Sequence, residues 1–187
     1  MDHGMEHDCV VRAVRAEEWP RVKELRLAAL RDPAAPVAFL ETYEQAVAEP
    51  DSHWRARAAG NSHATRARQF VAVGPGDEWA GSVTVLVEEP GSQDIFSEEI
   101  TRRQAHLVGV YVRPEHRGSG VTEALFEAAL AWAWSLEGLE RARLYVHERN
   151  PRAMAFYRRF GFVRGAGVAR LPGDTPAEEY EMVLDKP

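Results

Sequence analysis

The chain of 187 residues holds a single cysteine, Cys9. One thiol cannot close an internal disulfide, and it excludes any zinc site built on several cysteines. A surplus of positive charge is also missing: 23 Lys and Arg face 29 Asp and Glu, for a formal net charge of −6. Binding a phosphate backbone needs a basic footprint, so nucleic acid is not an expected partner. No apolar run approaches the ~20 residues that cross a bilayer, and no membrane partner is expected. The opening Met1-Asp2-His3-Gly4-Met5-Glu6-His7-Asp8 lacks the basic and apolar stretches of a signal peptide, which makes a cytoplasmic location the expectation. His3, His7, His53, His63, His116 and His147 show no metal-ligand spacing, and no metal is expected.

What is present suits a globular chain. Hydrophobic residues make up 45% and charged residues 28%, enough apolar surface for a sizeable core. Residues 1–8 read as a loose tail, and 9–187 as a single domain. Strands are expected at Val10–Val14, Gln69–Val73, Trp79–Val87, Ala105–Val112, Arg143–Val146, Val168–Leu171 and Tyr180–Leu184. The strands around Gly74-Pro75-Gly76-Asp77 read as a hairpin. Helices are expected at Glu17–Leu30, Thr42–Ala48, Ser52–Ala59, Thr122–Leu136 and Pro151–Phe160. Asp32-Pro33-Ala34-Ala35-Pro36 is expected to stop the first helix. Asp51 or Ser52 would cap the third, and Asn150, Pro151 and Gly161 bound the last. Residues 89–103 read as a long surface loop. The order gives a mixed α/β, or α+β, fold class.

Chemistry concentrates at two strand-to-helix junctions. In the first, Val110-Tyr111-Val112-Arg113-Pro114-Glu115-His116-Arg117-Gly118-Ser119-Gly120-Val121-Thr122, a strand runs through two glycines into a helix. Glycine admits backbone shapes and close approaches that a side chain blocks. The free N–H groups of the first helical turn then converge, with the helix dipole behind them, on a place suited to a phosphate. Arg117 adds a positive charge at the rim. The segment is not a P-loop, because no Lys follows, and it fails the dinucleotide fingerprint at the third glycine. Taken alone, it reads equally as an anion cradle or as a plain tight connection.

The second junction runs Leu144-Tyr145-Val146-His147-Glu148-Arg149-Asn150-Pro151-Arg152-Ala153 and on through Tyr157 to Gly161-Phe162. Together the two junctions resemble the GNAT superfamily of N-acetyltransferases. The family's acetyl-coenzyme A loop, Arg/Gln-x-x-Gly-x-Gly/Ala, falls on Arg117, Gly120 and Thr122. Its later signature, Asn-x-x-Ala-x-x-x-Tyr-x-x-x-Gly-Phe, falls on Asn150, Ala153, Tyr157, Gly161 and Phe162. Thr122 departs from the small residue usual at its place. The resemblance covers roughly a third of the chain, residues 104–163.

The resemblance implies a twisted mixed sheet of six or seven strands flanked by helices, with acetyl-CoA as co-substrate. The main chain of Val110, Tyr111 and Val112 would pair with the pantetheine arm. Arg117, Gly118, Ser119, Gly120, Val121 and Thr122 would hold the pyrophosphate, and Asn150 would cap its helix and help fix the cofactor. Tyr157 would be the general acid that protonates the departing thiolate, against a plain packing role beside Phe156 and Phe160. The general base has two candidates, His106 and Glu88. His106 lies four residues before Val110, so strict alternation puts both on one face of the strand. Glu41 and Glu44 border the acceptor side in such folds and are candidates to bind a cationic substrate. The implied reaction is acetyl transfer to a small-molecule amine. A protein or peptide amine, or a non-catalytic acyl-CoA sensor, are the competing readings. A homodimer is an expectation of the resemblance alone.

Overall fold

The computed structural model describes residues 8–171 and 176–187. The expected tail over residues 1–8 lies, Asp8 apart, outside the described residues, as do residues 172–175 of the connection between the last two strands. Seven strands are described: β1 Val10–Ala13, β2 Ala67–Val73, β3 Trp79–Glu88, β4 Gln104–Val112, β5 Arg141–His147, β6 Val163–Leu171 and β7 Ala177–Asp185. Their helices are α1 Trp19–Leu30, α2 Ala35–Ala38, α3 Tyr43–Val47, α4 Asp51–Gly60, α5 Val121–Ser135 and α6 Pro151–Phe160. The strands form one sheet in the order β1-β2-β3-β4-β5-β7-β6. Every neighbouring pair is antiparallel except β4 and β5.

Alternation along the strands divides the core between two faces. On one, Val83, Val85, Leu107 and Leu144 pack against Leu125 and Phe126 of α5 and Tyr157 of α6. On the other, Val71 and Tyr111 meet Val22, Leu25 and Ala29 of α1 and Ala58 of α4. The spacing of Val22, Leu25 and Ala29 keeps them on one helical face, and Pro20 lies in the first turn, where no hydrogen bond is lost. Trp54 completes this side, fully buried with Leu30 and Ala46. Burial of side chains this size stabilises the fold by roughly 1.5–3 kcal/mol each.

Three local expectations change. Pro36 does not simply stop the chain; it lies in the first turn of the short helix α2, where its fixed φ suits helix geometry. Pro50, and neither Asp51 nor Ser52, occupies the position before α4. β6 starts at Val163 and not at Val168, because a register irregularity between Arg164 and Val168 interrupts the alternation that a sequence pattern relies on. The helix Pro151–Phe160 matches its expected bounds. Asn150 caps it by accepting the Ala153 N–H, and Gly161 closes it at φ 127°.

Candidate active site

The parallel pair β4 and β5 is joined only at Ala105 with Ala142 and His106 with Arg143. Beyond those two positions the strands separate, and a cleft of about 710 Å³ opens between them. Val108, Gly109 and Val110 line one wall, and Tyr145, Val146 and His147 the other. The main chain from Val108 to Val112 therefore presents an edge that β5 does not occupy. Within this edge, Thr84 pairs with Val108 but Ser82 pairs with Tyr111, so β4 carries one extra residue. Gly109 absorbs it at φ 63°, a backbone shape that favours glycine. The bulge corrects the expected parity: the face of His106 continues through Val108 to Tyr111, and Val110 does not share it.

β4 then leads through a 3-10 turn at Pro114–His116 to Gly118, at φ 74°, and Gly120, at φ 87°. Gly120 is the N-cap of α5, so the free amides of the first turn begin there. A side chain at Gly118 would meet nothing within 4 Å, so the backbone lies open at this point. Arg117 behaves otherwise than expected. Its Nε donates to the Val112 carbonyl (3.0 Å), and its Nη2 pairs with Asp32 (2.6 Å), so it anchors the loop instead of offering a free charge. The Ser119 hydroxyl donates to the His116 carbonyl. Thr122 is half-buried at the cleft, with no protein hydrogen bond from its side chain among the described residues. Asn150 lines the cleft while its Oδ1 caps α6 at 3.3 Å. Arg152 and Arg159 of α6 are exposed and line the same mouth, and sequence reasoning did not single them out.

Tyr157 lies where α6 meets the cleft. Its ring stacks on Phe126, with centroids 5.8 Å apart and planes 13° apart, and meets the edges of Phe156 and Phe162. Burial, with the charge of Glu179 adding to it, pushes the phenol up to about 12. The packing role and an available proton therefore coexist in one side chain.

The other face of the sheet carries charge. His106 Nδ1 lies 3.0 Å from Glu88. Arg143 donates to Glu88 from Nε (2.8 Å) and Nη2 (3.1 Å), and Gln104 donates a further bond (3.1 Å). Arg143 also reaches Glu181 (3.0 Å), Asp94 (3.0 Å) and the Tyr145 hydroxyl (3.1 Å). Side chains from β3, β4, β5 and β7 are thus tied together where the cleft begins. Burial alone would raise the Glu88 carboxyl, but the hydrogen bonds and charges of His106 and Arg143 outweigh it and hold the group at about 2. Glu88 is therefore the partner of His106 and not a free base. Because the Glu88 carboxylate can only accept, the His106 Nδ1 donates to it, and in the neutral imidazole the other ring nitrogen is the acceptor. That nitrogen, Nε2, is bonded to no protein group among the described residues, on a residue that lines the cleft.

The acceptor-side carboxylates are also not where they were expected. Glu41 is held by Arg26 (2.6 Å) and Arg57 (3.3 Å), and it is the two arginines that line the cleft. Glu44 is exposed away from it. Of the acids that line the cleft, Asp32, Glu123 and Glu179, the buried Glu179 of β7 is paired in register with His147, is 8% exposed, and has a carboxylate with no protein hydrogen bond among the described residues. Burial pushes its carboxyl up to about 7. In the sequence, Glu179 and Glu181 alternate with Tyr180 and Met182, a pattern that reads as an ordinary solvent-facing strand side, so no signal marked it.

Comparison with known proteins places this geometry. A mycothiol acetyltransferase of Salinispora arenicola (strain CNS-205) is 38% identical over 81 residues, 43% of this chain and 24% of that protein. The chain thus spans about a quarter of the length of that relative. Among solved structures, a GNAT-family acetyltransferase from Streptococcus pneumoniae superposes with a TM-score of 0.71 at 16% identity, covering 95% of this chain and 99% of the other. A spermidine N-acetyltransferase from Vibrio cholerae, in complex with CoA and spermine, gives 0.68 at 18% identity over 96% of each chain. These two likenesses show a common fold, that of a seven-stranded mixed sheet flanked by helices. Residues 19–162 match the sequence profile of the Acetyltransferase (GNAT) family, and with most of its length inside that match the chain belongs to this family of acyltransferases.

Proposed function

We propose that the chain transfers an acetyl group from acetyl-CoA to a primary amine of a small molecule, by direct attack within a ternary complex. The observation that carries this reading is the cleft between β4 and β5, with an open strand edge and a glycine-framed helix start on one side and His106 and Tyr157 on its walls. Mycothiol and spermidine acetyltransferases among the similar proteins support a small-molecule acceptor, and the CoA complex supports the donor.

The residues present fit that donor. The edge at Val110, Tyr111 and Val112 offers backbone groups to an extended amide-bearing arm, as a strand would. The amides from Gly118 to Thr122 suit a pyrophosphate, with the Thr122 hydroxyl as an added donor. Arg152 and Arg159 supply the charge that Arg117 directs to Asp32. Asn150 fixes the start of α6 beside it. Acetyl-CoA would supply an acetyl group activated as a thioester.

The chain's own residues then manage two protons. His106 Nε2 takes one from the acceptor ammonium, and Glu88 stabilises the resulting imidazolium through Nδ1. Glu179 attracts the ammonium to the cleft. Tyr157, a phenol protonated at neutral pH and lifted further by burial, gives a proton to the departing sulfur.

Calorimetric titration with acetyl-CoA, followed in the same sample by thiol release against a panel of amines, tests this reading. Binding with release for small amines is expected. In Tyr157→Phe, cofactor affinity should hold while turnover falls by roughly 100-fold or more. Full turnover with an unaltered pH profile in that variant would remove Tyr157 from the proton path.

A further inference from the structure

The acceptor side of the cleft is held by two guanidinium groups that share one carboxylate. Arg26 of α1 gives a single bond from Nε to Glu41, and Arg57 of α4 a single bond from Nη1 to the same oxygen. Neither pairing uses the two-pronged geometry by which arginine usually holds a carboxylate. Both Nη atoms of Arg26 and Nη2 of Arg57 remain without a protein partner among the described residues. Two cations against one anion leave one positive charge uncompensated. Asp32, a second carboxylate on this side, does not supply the balance, because it is engaged by Arg117.

Each guanidinium group rests against an aromatic ring. That of Arg26 lies over the Phe39 ring (4.6 Å to the centroid) and that of Arg57 over Trp54 (5.6 Å). Asn61 lies one helical turn beyond Arg57 and on the same side of α4. Its side-chain amide makes no protein hydrogen bond among the described residues, and it too lines the cleft. A second, smaller cavity of about 20 Å³ adjoins these groups, where Arg26, Arg57, Gln69, Ser82 and Thr84 meet an apolar wall from α1 and Tyr111. That is room for one water molecule or one ligand oxygen. Thr84 pairs with Val108 and so lies diagonally from His106, a separation of about 7–8 Å across neighbouring strands.

We infer that Arg26, Arg57 and Asn61 receive an anionic group of the acceptor, and that the substrate is a small amine that carries a carboxylate a few bonds from its nitrogen. The inference rests on the N-acetyltransferase reading and narrows it. An amine at His106 and Glu179 and a carboxylate at the arginines would match the opposite charges on the two sides of the cleft. Burial and the neighbouring Arg57 hold the Arg26 guanidinium below its ordinary range, as expected of a cation short of counter-charge.

The test compares amino acids with their decarboxylated amines, each pair sharing one side chain, in the wild type and in Arg57→Gln. Thiol release should favour the amino acid in kcat/KM by roughly 10–100-fold. Arg57→Gln should erase most of that preference by lowering kcat/KM for the amino acid far more than for its decarboxylated amine. Equilibrium titration with N-acetyl amino acids and N-acetyl amines gives a second readout that needs no turnover, and Asn61→Ala a second variant that leaves the Arg–Glu41 bonds in place. Weaker binding of only the N-acetyl amino acids in both variants supports the assignment. Transfer to the decarboxylated amines at least as fast as to the amino acids, or equal losses for both members of a pair, overturns it and leaves the acetyltransferase reading standing. Selective carboxylate binding without release to any amine keeps the anionic site and overturns the acetyltransferase reading instead.

Discussion

The two halves of the cleft are built from different materials. The half proposed for the cofactor is made mainly of main chain: an open edge on β4, a bulge at Gly109, and the amides that begin at Gly120. The acceptor half is made of charged side chains carried by strands and helices far apart in sequence. On the proposed reading, backbone geometry serves acetyl-CoA and requires only glycines at a few places. Side-chain chemistry serves the proposed acceptor, and can change without altering the sheet. The comparison predicts that changes in the cofactor half act on binding, and changes in the acceptor half on stability, pH response and substrate choice.

The largest effect should come from Arg143→Met. It removes the cation shared by Glu88, Asp94 and Glu181 and leaves three carboxylates clustered beneath the acceptor side. Breaking a buried pair in this way costs about 3–5 kcal/mol, readable as a lower urea midpoint at pH 7. The Glu88 carboxyl sits near 2 in the fold against an ordinary 4.5. The stability it contributes is therefore present above about pH 4.5 and lost as pH falls towards 2. The deficit of the variant should narrow across that window; a deficit constant with pH would mean that packing, and not charge, dominates there.

Gly120→Glu should come next. It forces a side chain into a left-handed backbone shape and sets a negative charge where phosphate is expected. Acetyl-CoA affinity should drop on the order of 100-fold, about 2.7 kcal/mol, with the circular dichroism of the fold retained. Unchanged affinity would break the assignment of the cofactor half to backbone amides.

Glu179→Gln should have the smallest effect and the opposite sign. A carboxyl lifted from 4.5 to about 7 favours the fold only while protonated, so its contribution is complete below about pH 4.5 and lost as pH rises through 7. The variant should unfold at higher denaturant than the wild type at pH 8, by roughly 2 kcal/mol after discounting for cleft water, and equally at pH 4. If the two proteins coincide at pH 8, Glu179 is better solvated than its burial suggests.

The same division governs what the sequence disclosed. Gly118, Gly120, Asn150 and Gly161 mark backbone shapes, and a backbone shape leaves a local residue signature; the helix from Pro151 to Phe160 and the loop before α5 were legible for that reason. The acceptor side was not. Glu88 and His106 were named, but their roles depended on Arg143, which belongs to a strand 37 positions further along and reads only as a strand boundary. Arg26, Arg57 and Glu179 each look like a surface charge until the chain brings them to one cavity. Parity arguments failed at Gly109 because one inserted residue reverses every inference drawn across it.

Two backbone rungs join β1–β4 to β5–β7, whereas every other adjacent pair shares four or more register positions. The sheet is thus two leaves meeting at a seam, and the Glu88–Arg143 contact acts as its clasp. A molecule lying along the seam engages both leaves at once and becomes part of their cooperative unit. At a free concentration 100 times its dissociation constant it would add about 2.7 kcal/mol to the whole. Amide exchange at Ala105, His106, Ala142 and Arg143 would register that gain in both leaves together.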